Sequence, residues 1–74
     1  MLVNVKLFAT FRKGRFNEKN VQLSDECSIA NLLEYLDIAK KDSKVILVNG
    51  KVSSSNTNLK DNDVVVIFPP IAGG

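Results

Sequence analysis

The chain has 74 residues and a formal net charge of +2, from 10 basic and 8 acidic side chains, and it contains no histidine. This length allows one hydrophobic core, and the 45% of hydrophobic residues is typical of a globular domain and argues against disorder. The balanced charge argues against a nucleic-acid partner, and no apolar run is long enough to span a membrane. We therefore expect a cytoplasmic protein that binds neither nucleic acid nor membrane.

The first 24 residues predict two antiparallel strands. Leu2–Ala9 alternates, with its odd-numbered apolar side chains on one face and Asn4, Lys6 and Phe8 on the other. A polar loop is predicted over residues 12–20, before alternation resumes at Val21. The loop holds the basic cluster Arg12-Lys13-Gly14-Arg15, which we interpret as solvated, with a possible part in steering a charged partner.

A helix is predicted next. Ser28 suits the N-cap position, because its hydroxyl can accept a hydrogen bond from a first-turn amide. Apolar residues then recur at helical spacing and form a single stripe, Ile29, Leu32, Leu33 and Leu36. Asp25 and Glu26 suit the positive end of the helix dipole. The helix therefore has one apolar face to bury against a sheet.

The second half predicts three further strands. The unbroken apolar run Val45–Val48 is typical of a strand that is covered on both sides, or nearly so. Asn49-Gly50 favours a two-residue type I′ turn, so Lys51–Ser53 should return as a short strand. A last strand is predicted up to Phe68. This order favours an α+β fold of the β-grasp, or ubiquitin-like, type: a mixed sheet of four to five strands with one main helix on one face.

No self-contained active site is evident in the sequence. Without histidine, the single Cys27 has neither a general base nor the partners of a usual zinc site. The acidic residues Asp25, Asp37, Asp61 and Asp63 fall at predicted caps and turns, where backbone conformation explains them. We expect no metal site, no bound cofactor and no catalytic machinery, and we interpret Cys27 as a buried apolar residue.

The C-terminal sequence is the unusual feature. Pro69-Pro70 prevents further strand pairing and favours an extended backbone. Gly73 and Gly74 add no packing, yet a segment without Cβ atoms can enter a narrow channel and present its carboxylate to an active site. From Pro69 to Gly74 an extended chain spans about 20 Å, at roughly 3.3–3.6 Å per residue. We therefore interpret residues 1–74 as one domain with a flexible C-terminal tail at 69–74.

Several stretches resemble the MoaD/ThiS family of sulfur-carrier proteins, and within it the small subunits of molybdopterin synthase. In chain order, these stretches are Val3–Ala9 followed by Arg12, the helix opening Ser28–Leu33, Val48-Asn49-Gly50, Leu59–Asp63, and Phe68-Pro69-Pro70 ending in Gly73-Gly74. The terminal motif is the most specific of these stretches. The loop between the helix and the third strand is shorter than is typical of molybdopterin synthase small subunits.

The resemblance implies a function for the tail. A ubiquitin-activating-type enzyme would use ATP to adenylate Gly74, and sulfur would displace AMP to leave a thiocarboxylate. The carrier would then donate this sulfur in molybdopterin (molybdenum or tungsten cofactor) biosynthesis, as a co-substrate and not as an enzyme. The implied partners are the adenylating enzyme and the large subunit of molybdopterin synthase. Phe68, Pro69, Pro70, Ile71 and Gly73 would bind them, with Arg12 in support.

Two alternatives share the fold and the activated terminus. A thiamin-pathway carrier would deliver sulfur to thiazole synthase, although such carriers generally lack the extended first hairpin and the Phe-Pro-Pro sequence. A ubiquitin-like modifier would join Gly74 to lysine side chains of target proteins. Phe68 itself has two interpretations, because its alternation with Val64 and Val66 also suits a core residue.

Overall fold

The computed structural model describes residues 1–8, 11, 14–38 and 45–68. Within these ranges five strands and one helix follow one another along the chain. In order they are β1 (Leu2–Leu7), β2 (Glu18–Gln22), α1 (Ile29–Tyr35), β3 (Val45–Val48), β4 (Lys51–Val52) and β5 (Val64–Phe68).

The five strands form one mixed sheet in the order β2-β1-β5-β3-β4. The central pair, β1 and β5, is parallel, with Asn4 beside Val64 and Leu7 beside Ile67. All other pairs are antiparallel. With one helix on this sheet, the fold is the predicted β-grasp. The parallel pair directs the C-terminal ends of β1 and β5 toward the same end of the molecule.

The core lies between the sheet and α1. The strands supply the odd-numbered residues of β1, together with Val21, Ile46, Val65 and Ile67, all of them buried. The helix supplies its predicted stripe, and Phe11, Ile38 and Leu59 close the margins of the core. The predicted alternation of β1 and the apolar stripe of the helix are therefore confirmed.

The start of α1 is fixed by its cap. The Ser28 hydroxyl accepts a hydrogen bond from the backbone amide of Asn31, and the Asn31 side chain accepts one from the Ser28 amide. This reciprocal pair is a capping box with asparagine in place of the usual glutamate. The predicted N-cap is confirmed. Asp25 lies outside the first turn of α1, and its carboxylate lies 3.5 Å from the N-terminal amine.

The turn between β3 and β4 is the predicted type I′ pair, with positive φ at Asn49 (53°) and Gly50 (84°). The Asn49 side chain also binds the start of β5, since its Nδ2 donates to Asp63 Oδ1 at 2.9 Å and its Oδ1 accepts from the Val64 amide at 2.9 Å. Asp63 is buried and accepts a second hydrogen bond from the Lys60 amide. These contacts fix the entry to β5.

Two predicted segments differ from the structure. Glu18–Asn20, assigned to the first loop, belongs to β2, because its backbone pairs with β1 although its side chains are polar and exposed. The basic cluster is not wholly solvated either. The Arg15 side chain donates to Leu36 O and Asp37 O, both at 3.0 Å, where α1 ends.

Replacing Arg15 by alanine is expected to lower the free energy of unfolding by about 1 kcal/mol, because carbonyls at the helix C-terminus lose a cationic donor. For a domain of this size, that change lowers the melting temperature by roughly 4–8 °C. Thermal unfolding followed by circular dichroism measures it. Lys51→Ala removes the same charge at an exposed edge position and is the control. Equal melting temperatures for the two variants would contradict a capping role for Arg15.

Candidate functional site

The tail-bearing strand β5 ends at Phe68, in the middle of the sheet. Phe68 pairs with Val45 of β3 on one side, and β1 ends beside it on the other. Of the predicted site residues, only Phe68 is described by the structure. Gly74, Gly73, Ile71, Pro70, Pro69 and Arg12 lie outside the described residues.

Phe68 is not a core residue. Val65 and Ile67 face the helix and are fully buried, so Val64, Val66 and Phe68 lie on the opposite face of the sheet. There the Phe68 ring stacks on the ring of Phe8, with centroids 4.7 Å apart and planes inclined by 20°. The parallel register brings these two aromatic residues together, because Phe8 directly follows β1 and Phe68 is the last residue of β5. Both rings are half-buried.

The stack belongs to a larger apolar area, which we call the open-face patch. Leu47 lies opposite both Val66 and Val52, and Val45 lies opposite Phe68, so these side chains share the face that α1 does not cover. Val45 and Val52 are 38% and 79% exposed. The open-face patch consists of Phe8, Val45, Leu47, Val52, Val66 and Phe68. A contiguous exposed apolar area of this kind is typical of a protein interaction site.

The other half of the same face is polar. Asn4 Nδ2 donates to Glu18 Oε2 and to Asn20 Oδ1, each at 3.0 Å. The half-buried Lys6 lies between this network and the patch, opposite Val66 on one side and Glu18 on the other. The apolar area is therefore bounded toward β2 and is concentrated at the end of the sheet from which the tail leaves.

The run Val45–Val48 was expected to be covered on both sides, and this expectation is only half right. Ile46 faces the core, whereas Val45 is exposed and Leu47 is half-buried on the open face. Sequence reasoning also did not identify Phe8, Leu47 or Val66 as site residues. The available signal was the absence of polar residues on the outward positions of β3 and β5, which burial by a partner explains as well as burial within the domain.

The described residues hold no cluster of candidate metal ligands. No three His, Cys, Asp or Glu side chains among them group closely enough to hold a metal ion. No helix in the described part of the chain is long and apolar enough to cross a membrane. Cys27 is buried, its Sγ contacts Ser28 O at 3.5 Å, and burial raises the pKa of its thiol. This environment makes the sulfur a poor nucleophile.

Cys27 is accordingly expected to be chemically inert in the folded protein. In the native protein the thiol should react with iodoacetamide much more slowly than in denaturant, because burial disfavours the reactive thiolate form. Because the folded protein has the higher thiol pKa, this group lowers the free energy of unfolding as pH rises above the unfolded pKa. The loss is absent below the unfolded pKa and complete above the folded pKa. Mass spectrometry of the alkylated protein measures the two rates. Equal rates would contradict the inert environment.

The comparisons with known proteins agree with this geometry. The model of the ThiS family matches residues 5–74. A putative molybdopterin converting factor subunit 1 from Pyrococcus furiosus is 32% identical with a TM-score of 0.76, covering 96% of this chain and 99% of its own. The small archaeal modifier protein 1 from Methanosarcina acetivorans is 27% identical with a TM-score of 0.69, covering 99% and 96%.

A third similar structure is a protein–protein complex of subunits 1 and 2 of the molybdopterin-converting factor from Helicobacter pylori. Its matching chain is 23% identical with a TM-score of 0.67, and both chains are covered completely. At this identity the likeness shows the fold alone. No match was found among curated proteins.

The five-stranded mixed sheet with one helix on one face defines a ubiquitin-like β-grasp protein. The chain belongs to the ThiS family, the ThiS/MoaD group of sulfur carriers and ubiquitin-like modifiers. The small sulfur-carrier proteins of this family are not enzymes.

Proposed function

We propose that the protein carries sulfur on Gly74 as a thiocarboxylate and donates it in molybdopterin biosynthesis, as the small subunit of molybdopterin synthase. The observation that carries this proposal is the position of Phe68. It is both the last residue of a central strand and half of an aromatic pair on the face that α1 does not cover. Pro69-Pro70 follows it directly, and Gly73-Gly74 ends the sequence.

The chemistry of the terminus requires a partner with ATP. An α-carboxylate is ionised at neutral pH and is a poor electrophile, so its oxygen must first become a leaving group. Attack of the Gly74 carboxylate on ATP gives an acyl adenylate and releases pyrophosphate. A persulfide sulfur of the sulfur donor then displaces AMP to give an acyl disulfide. A second thiol of the partner enzyme attacks the donor's cysteine sulfur in that disulfide, which releases the Gly74 thiocarboxylate and leaves a disulfide on the partner. In this proposal the adenylating enzyme supplies the catalytic groups for these steps.

The open-face patch gives the partners a place to bind. Its aromatic and aliphatic side chains resemble the apolar centre of a protein interface, and the Asn4 network resembles a polar rim. β5 runs through the patch, and residues 69–74 follow it in the sequence. A partner bound to the patch therefore has the residue before the tail, Phe68, at a fixed position. Arg12, Pro69, Pro70, Ile71 and Gly73 complete this proposed interface.

The molybdopterin pathway is favoured by the relatives. The Pyrococcus furiosus protein, at 32% identity over nearly the whole chain, is named as a putative molybdopterin converting factor subunit. The Helicobacter pylori structure, which is similar in fold, holds two subunits of a molybdopterin-converting factor in one complex and shows that this fold can bind a second subunit. The proposed acceptor partner is therefore the large subunit of molybdopterin synthase.

A second candidate function has support of its own. The similarity to the Methanosarcina acetivorans modifier favours a ubiquitin-like role, in which activated Gly74 forms isopeptide bonds with lysine side chains. Delivery of sulfur to thiazole synthase is the third possibility, since the matching family model is that of ThiS. All three functions use the same activated terminus and differ in the acceptor.

Mass spectrometry of the protein isolated from its own cells tests the proposal. A sulfur carrier gains the mass of about one sulfur-for-oxygen exchange at Gly74. A modifier instead leaves branched glycyl-lysine peptides on other proteins after digestion. Reconstitution with the adenylating enzyme, ATP, a sulfur donor and the large subunit should then produce molybdopterin. A terminus that never acquires sulfur under these conditions would refute the carrier function.

A further inference from the structure

The turn sequence Asn49-Gly50 is chemically reactive in flexible peptides. The backbone nitrogen of the glycine can attack the carboxamide carbon Cγ of the asparagine, because glycine has no side chain to obstruct the approach. The new N–Cγ bond forms while the Cγ–Nδ2 bond breaks, and ammonia leaves with the proton from the glycine N–H. Water then opens the cyclic imide to aspartate or isoaspartate, without any oxidant or reductant.

In the folded protein this side chain is restrained at both polar atoms. Asn49 Nδ2, the leaving nitrogen, donates to Asp63 Oδ1 at 2.9 Å, and Asn49 Oδ1 accepts from the Val64 amide at 2.9 Å. The Asn49 backbone amide also donates to Val64 O at 2.8 Å. Attack on Cγ requires the carboxamide to rotate toward Gly50, and rotation breaks these hydrogen bonds. The turn must therefore open before the reaction begins.

We infer that Asn49 is a deamidation site gated by the Asn49–Asp63 contact, and that its modification irreversibly loosens the entry to β5. The new carboxylate has no N–H to donate, so Asp63 loses its side-chain partner. The new carboxylate at position 49 also faces the carboxylate of Asp63, which is buried and already accepts a hydrogen bond from the Lys60 amide. Two like charges at hydrogen-bond distance repel each other. An isoaspartate adds a backbone atom and disrupts the type I′ turn as well.

The site bears on β5 because Val64 is the first residue of that strand and Asp63 directly precedes it. A loosened start weakens the pairing of Val64 and Val65 with β1 and β3. Because the modification is irreversible, it accumulates with the age of the molecule. The inferred deamidation does not require that the tail carry sulfur, and its test is independent of the proposed function.

The test is incubation of the folded protein in mildly alkaline buffer, with peptide mapping for the amide-to-acid mass change and enzymatic methylation to detect isoaspartate. Asn49 is expected to deamidate at least about tenfold more slowly in native protein than in denaturant. A tenfold factor corresponds to a free energy of ~1.4 kcal/mol for local opening of the turn. Asp63→Ala should remove most of that protection. Leu59→Ala is the control, because it destabilises the core without touching the Asn49 side chain. At matched global stability, Asn49 should deamidate more slowly in Leu59→Ala than in Asp63→Ala.

The consequence for β5 is tested with the product itself. Asn49→Asp should increase amide hydrogen exchange at Val64 and Val65, whereas Asn56→Asp, the same change in an exposed loop, should not. Equal deamidation of native and denatured wild-type protein would overturn the gating. Unchanged exchange at β5 in Asn49→Asp would overturn the loosening.

Discussion

Removing Gly74 is expected to abolish thiocarboxylate formation while leaving the melting temperature unchanged. On the proposed mechanism the adenylating enzyme acts on one carbonyl carbon, whose position is set by the fixed end of β5 and the length of residues 69–74. Losing one residue shifts the terminus by about 3.3–3.6 Å, and misplacement of even 1 Å at a reacting centre costs about 10²-fold in rate. Adding one alanine after Gly74 should be equally damaging. The measurement is the mass of the protein after incubation with adenylating enzyme, ATP and sulfur donor.

The control for this experiment is a change of similar size that leaves the terminus intact. Asn56→Ala alters an exposed loop residue and should be converted at the wild-type rate. If the protein lacking Gly74 still accepts AMP and sulfur, the terminal glycine is not the carrier group. If both variants fail, the fault lies in the assay or in the partner and not in the tail.

Phe68→Ala is expected to weaken binding to the large subunit and to the adenylating enzyme by about 30-fold or more. Truncation of a central aromatic anchor typically costs ~2 kcal/mol or more at an interface. The substitution also removes the stack with Phe8, so unfolding should become easier by about 0.5–1.5 kcal/mol from the ring pair, in addition to the lost burial. Isothermal titration calorimetry measures the affinity, and circular dichroism confirms that the variant is folded.

Tyr35→Ala is the matched control for Phe68→Ala. Tyr35 is a large aromatic residue that is 61% exposed, but it lies on α1, on the opposite side of the sheet from the open-face patch. Its removal should leave both affinities within a few-fold of wild type. Similar losses for the two variants would place the interface elsewhere. A loss for Val52→Glu, at the exposed margin of the patch, would support the assignment without disturbing the core.

The sequence was sufficient to predict the fold because local signals and burial agree in most elements. The alternation of β1, the Ser28 cap and the Asn49-Gly50 turn each correspond to a single backbone conformation with a known side-chain requirement. The start of β2 was not predictable in this way. Glu18–Asn20 pairs through its backbone at a sheet edge, where exposed polar side chains leave no apolar alternation to detect.

The candidate site was predictable in part. Gly74 and the residues before it are distinctive because packing does not account for them, and the proposal about their chemistry comes from that mismatch and from the family resemblance. The open-face patch was missed for the opposite reason. Val45, Leu47, Val66 and Phe68 have the composition of buried strands, and hydrophobicity alone does not say whether the covering layer is the protein's own helix or another molecule. Only the position of α1 distinguishes these cases.

The central pairing of β1 with β5 has a consequence for biosynthesis. These strands come from opposite ends of the described chain, yet they form the middle of the sheet, so β1 and β3 have no shared neighbour until β5 is inserted between them. Contacts so distant in sequence form late, because the intervening chain must be closed first. A ribosome-bound chain that lacks β5 therefore cannot assemble the open-face patch. An activating enzyme that recognises this patch would, on that account, ignore incomplete chains and act only on finished, folded molecules.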